Sequence, residues 1–92
     1  MPFRCFEAAF VIPGAESLKD KRMVVRSVKD RIRSRFNVSV AESADNDKWQ
    51  RCALCFAVAA SDNASAERIK QDIIGFLGSE PRIEVTQIRE GT

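Results

Sequence analysis

Residues 17–36 read SLKDKRMVVRSVKDRIRSRF, and the remaining segments must fold around what this one requires. Leu18, Val25, Val28, Ile32 and Phe36 recur at offsets of 7, 3, 4 and 4, which keeps them on one stripe of an α-helix. That stripe needs a surface to pack on. Ser17, three residues before Asp20, fits an N-cap in a weakened capping box, where Glu or Gln is usual. Asn37 is expected to break the helix. The segment carries eight Lys or Arg against Asp20 and Asp30, a local charge of +6 in a chain whose total is +2, so the remainder carries −4. At about 100° per residue, Lys19, Arg22, Arg26, Lys29 and Arg33 fall within about 80° of one another on one flank of the stripe. Lys21, Arg31 and Arg35 are assigned to the opposite flank.

The segments on either side read as strands. In residues 3–12 (FRCFEAAFVI), Phe6, Ala8, Phe10 and Ile12 alternate with Cys5, Glu7, Ala9 and Val11, and the aromatic set is the expected core face. Pro13-Gly14 ends this strand. Residues 38–42 (VSVAE) alternate again, and the polar run 43–48 (SADNDK) suits a hairpin connection. In the next strand Cys52, Leu54, Phe56 and Val58 face one way, and Arg51, Ala53, Cys55, Ala57 and Ala59 the other. Ser61-Asp62-Asn63 supplies cap residues for a second helix carrying Ala66, Ile69, Ile73, Phe76 and Leu77, with Gly78 expected at its end and Pro81 barring continuation. Residues 83–88 (IEVTQI) read as a last strand of unsettled facing, since Val85 and Ile88 cannot share a face under strict alternation.

The order β-α-β-β-α-β predicts an α+β, ferredoxin-like fold. It is a four-stranded antiparallel sheet of order 4-1-3-2, with both helices on one face. Ninety-two residues suit one domain, 1–92. No apolar run approaches the ~18 residues that span a bilayer, and the N-terminus lacks a signal-peptide core, so a cytoplasmic location and no membrane association are expected. Three cysteines without small-secreted spacing fit a reducing compartment.

Four blocks then stand together: Pro13-Gly14-Ala15, Ser17-Leu18-Lys19-Asp20-Lys21-Arg22, the run Arg35 to Glu42, and Asp47-Lys48-Trp49-Gln50-Arg51. In combination and register they resemble the YlxP-like family, a bacterial family of unknown function, over nearly the whole chain. The resemblance implies a ferredoxin-like fold. It also implies work on RNA or the ribosome, because in several bacteria the family's gene sits among genes for translation initiation and ribosome maturation. It brings no catalytic residue. Asp20 departs from the family's usual Glu, and residues 3–10 are unusually aromatic.

Catalytic chemistry finds little purchase. Cys52 and Cys55 spell C-x-x-C, but residues three apart on a strand point to opposite faces, so redox or zinc use is not expected. There is no His to serve as a base. Glu42, Asp45 and Asp47 cluster near the hairpin, where such residues usually form turns. In acylphosphatase, which shares this architecture, the loop after the first strand cradles phosphate with an Arg; here Pro13-Gly14-Ala15-Glu16 has none. The expectation is therefore a non-enzymatic protein without metal or cofactor that binds structured RNA, with the ribosome as the expected source. Lys19, Arg22, Arg26, Lys29 and Arg33 would contact phosphates, helped by Lys48, Trp49 and Arg51 at the hairpin. The alternative is a protein–protein or homodimer module using the Ala-rich sheet face opposite the helices, which is expected to offer no ring for stacking.

Overall fold

The computed structural model describes residues 2–44, 48 and 50–91. β1 (Phe3–Val11), α1 (Leu18–Arg35), β2 (Val38–Ala44), β3 (Arg51–Ala59), α2 (Asn63–Ser79) and β4 (Glu84–Glu90) follow the expected order. The sheet runs β2-β3-β1-β4, which is 4-1-3-2 read from the other edge, and every pairing is antiparallel. Nine residue pairs join β1 to β3, from Phe3↔Ala59 to Val11↔Arg51, centred on Glu7↔Cys55. Phe6 and Phe56 face each other in this ladder, with rings stacked at 4.7 Å between centroids. Val25, Val28 and Ile32 from α1 and Ile73 and Leu77 from α2 close over them, so the buried core lies between the helices and one sheet face.

Local chemistry accounts for the element ends. A turn after β1 is closed by the Ala15 N–H donating to Ile12 O at 3.0 Å, with Pro13 in the position its fixed φ suits. Asp62 caps α2 by accepting the Ser65 N–H at 2.7 Å. Several boundaries differ from expectation, β1 ending at Val11 and β4 running over Glu84–Glu90 among them. Phe36 is an extended C-cap rather than a helical residue, and Asn37 ties the exit to the sheet through Ala59 O at 3.3 Å. Gly78 lies inside α2, which continues to Ser79 and ends at Glu80. β2 extends to Ala44.

The facing of β4 is settled by a bulge. Ala9 pairs with Gln87 and Phe10 with Val85, so Thr86 is the extra residue, its hydroxyl donating to Ala9 O at 3.2 Å. The extra residue changes the alternation, and Val85 and Ile88 both pack against the core.

Lys21 requires a correction. Assigned to a solvent-facing flank, it is only 1 % exposed. Its position explains this, since residue 21 lies three after Leu18 and four before Val25 and so fills the gap in the apolar stripe. The face opposite the helices carries the expected small residues, and β1 adds one ring there, Phe3, 42 % exposed at its start. The expectation of a face without a ring is corrected at that residue.

Candidate nucleic-acid interface

α1 is locked at its entry. Ser17 Oγ accepts the Asp20 N–H at 3.1 Å, and the Asp20 carboxylate accepts the Glu16 N–H at 3.0 Å. With Val25, Val28 and Ile32 committed to the sheet, the helix cannot rotate, and one flank is held beside β2. Lys19, Arg22, Arg26, Lys29 and Arg33 line a single groove there of about 540 Å³, shared with Met23, Asp30 and Glu42. The five cations that periodicity placed on one flank are thus brought together.

They are not equivalent. Lys29 Nζ stands 3.9 Å from Glu42, and Arg33 donates to Val40 O at 3.0 Å while lying 3.9 Å from Asp30. Both bind α1 to β2, an edge strand whose backbone needs covering. Lys19, Arg22 and Arg26 are exposed, and among the described residues no acid pairs with them. Met23, 63 % exposed, sits between them.

The remaining helix cations are engaged elsewhere. Arg31 donates to Glu80 at 3.2 Å. The Arg35 guanidinium lies 5.6 Å from the Phe36 ring centroid and 5.4 Å from that of Phe76, both within cation–π range. The Glu80 side chain is 1 % exposed and also accepts from Arg82, through Nε at 3.0 Å, Nη2 at 2.9 Å and the backbone N–H at 2.9 Å. The hydrogen bonds from the Arg82 side chain do most to hold its carboxyl at about 2. This clamp between α1 and the α2–β4 connection has no motif in the sequence; only the placement of Glu80 and Arg82 around Pro81 hints at it.

The two sulfurs of the C-x-x-C spelling diverge, Cys52 buried and Cys55 exposed. Burial, then the nearby Glu42 carboxylate, push the Cys52 thiol up to about 12 against the pull of Lys21 and Lys29. Among the described residues no group of three or more His, Cys, Asp or Glu side chains is arranged to hold a metal ion, and no helix is long and apolar enough to cross a membrane. At the hairpin, Lys48 is exposed, whereas Trp49, Asp45 and Asp47 lie outside the described residues. Arg51 pairs with Val11 and alternates with the buried Cys52, so it belongs to the sheet face turned away from the helices. The structure does not bring it to the groove.

Residues 4–90 match the family described as "Protein of unknown function (DUF503)". The chain belongs to the DUF503 family. A curated relative, the "Uncharacterized protein YlxP" of Bacillus subtilis (strain 168), is 36 % identical over 83 residues, covering 90 % of each chain. The YlxP-like resemblance carried by the quoted blocks is therefore confirmed. Among solved structures, a de novo designed protein with ferredoxin fold matches with a TM-score of 0.58 at 17 % identity, covering 100 % of this chain and 87 % of the design. That likeness bears on the fold alone. Since neither the family description nor the relative's name specifies a ligand, the chemistry of this DUF503 surface rests on its own residues.

Proposed function

We propose that the protein is a non-enzymatic, cytoplasmic binder of structured RNA, with ribosomal RNA as the leading source. Lys19, Arg22 and Arg26 make the principal phosphate contacts, and Lys29 and Arg33 act as secondary ones already partly neutralised by Glu42 and Asp30. The observation that supports this is the contrast in pairing. Arg4 meets Glu67, Arg31 and Arg82 meet Glu80, Lys70 meets Glu67 and Glu90, and Arg89 meets Glu7, whereas the three neighbouring cations of the groove meet no described acid. Three i,i+4 pairs of α1, Arg22–Arg26, Lys29–Arg33 and Arg31–Arg35, carry like charge against one mixed pair, Arg26–Asp30, whereas a helix that used charge only for solvation would favour mixed pairs. A groove lined by five cations against Asp30 and Glu42 keeps a net positive charge that concentrates polyanions, and A-form RNA offers backbone phosphates without requiring base readout. The choice of ribosomal RNA rests on the gene neighbourhood implied by the family resemblance.

Fluorescence anisotropy with a labelled ribosomal RNA hairpin tests this. A Lys19→Glu/Arg22→Glu/Arg26→Glu variant should weaken binding by more than about tenfold. Arg68→Glu, an exposed cation of α2, should change it little. Equal losses in the two variants, or none in the first, would remove the groove from consideration.

A further inference from the structure

The sheet face turned away from the helices has chemistry opposite to that of the groove. It is built of small side chains, including Ala9, Ala41, Ala57 and Ala59, and contains a shallow depression of about 420 Å³ bordered by Cys5, Cys55 and Ala57. Its central charges are already satisfied within the chain. Glu7 lies 3.2 Å from Arg89 and accepts from the Ser43 hydroxyl at 2.5 Å. The centre of the face is thus without net charge and poor in groups that a nucleic acid could use.

We propose that this face docks a second copy of the chain, sheet against sheet, about a twofold axis. Three considerations select a copy as the occupant. Interface centres are depleted of unpaired charge, and a face whose only central charges cancel each other meets itself without net repulsion. The area is adequate: nine residues at about 3.3 Å by four strands at about 4.8 Å is roughly 570 Å² per copy, or on the order of 1,000 Å² in total, the lower bound for a specific interface. Finally, Phe3 is 42 % exposed on this face, an apolar group that association would cover. Such a dimer leaves both helix grooves outside, so it presents two basic surfaces at once.

The geometry also specifies a reporter. The β1–β3 ladder is centred on Glu7↔Cys55, so a fully overlapping twofold arrangement brings the axis close to Cys55. The two Cys55 sulfurs then lie across the stacked sheets, about 10 Å apart in backbone terms, within reach of a short bismaleimide. Cys52 is buried and does not compete.

Sedimentation equilibrium over a micromolar to millimolar range should show a concentration-dependent dimer. Ala57→Glu, a substitution at an exposed position, should abolish it with the far-UV dichroism and melting temperature retained, and Phe3→Ser should weaken it. A Cys5→Ser variant should crosslink through Cys55 at concentrations where the dimer forms. Lys19→Glu/Arg22→Glu/Arg26→Glu should leave the dimer unchanged. A monomer throughout the range, a dimer indifferent to Ala57→Glu, or a dimer whose Cys55 never crosslinks would overturn the proposal. RNA binding by the Ala57→Glu monomer would be untouched by any of these outcomes, because the groove lies on the other side.

Discussion

Replacing Glu80 with Gln probes the clamp that takes Arg31 out of the basic surface. Glu80 closes α2, is buried, and holds Arg82 at two guanidinium nitrogens and Arg31 at a third. Its carboxyl sits at about 2 instead of the ordinary 4.5, which at about 1.36 kcal/mol per pH unit caps its contribution at about 3 kcal/mol. The side chains of Arg31 and Arg82 are 60 % and 40 % exposed, so water screens part of that attraction and rehydrates them when the charge is removed. We expect Glu80→Gln to cost about 2 kcal/mol at pH 7, roughly 8–16 °C in melting temperature for a domain this small. The sign fixes the pH dependence. Because the folded carboxyl is depressed, its contribution is complete above about 4.5 and disappears as pH falls through about 2. Urea melts of both proteins from pH 7 down to pH 2 should therefore converge as the acid limit is approached. A Glu80→Gln protein as stable as wild type at pH 7, or a difference that does not shrink with acid, would refute the clamp.

Lys21→Ala should cost about 2–4 kcal/mol through the cavity and the lost polar contacts, seen in chemical unfolding, while leaving the salt dependence of RNA binding unchanged. For the thiols, a disulfide-exchange reagent at pH 8 should label exposed Cys55 fast and Cys52 only on unfolding. With the folded Cys52 thiol at about 12 against an ordinary 9.0, stability should decline as pH rises from about 9 towards 12, and replacing Cys52 with Ala should flatten that decline.

The fold was legible because the signals that carry it are local and repeated. The stripe of α1, the alternation of β1 and β3, and the turn at Pro13-Gly14 each follow from a period or a fixed φ. The bulge at Thr86 was not legible, because it depends on what β4 pairs with rather than on its own alternation. Lys21 was legible in principle. The gap between Leu18 and Val25 in the stripe falls at that residue, but charge outweighed position in assigning it outside. For the candidate surface, periodicity grouped the five cations correctly, yet only tertiary partners divide them. Glu42 and Val40 come from β2, and Glu80 from beyond α2, so apart from Asp30, three residues before Arg33, nothing within α1 announces that Lys29, Arg33 and Arg31 are engaged while Lys19, Arg22 and Arg26 are not. Arg51 was grouped with the hairpin by proximity in sequence, and strand alternation sends it to the other face.

The salt dependence of RNA affinity tests the central claim most directly. With three principal phosphate contacts and a partial contribution from Lys29 and Arg33, log K against log salt should fall with a slope of about −3 to −4, and in Lys19→Gln/Arg22→Gln/Arg26→Gln the slope should flatten to about −1 or less, leaving the contribution of Lys29 and Arg33. An affinity indifferent to salt, or a slope identical in wild type and the neutralised variant, would contradict it.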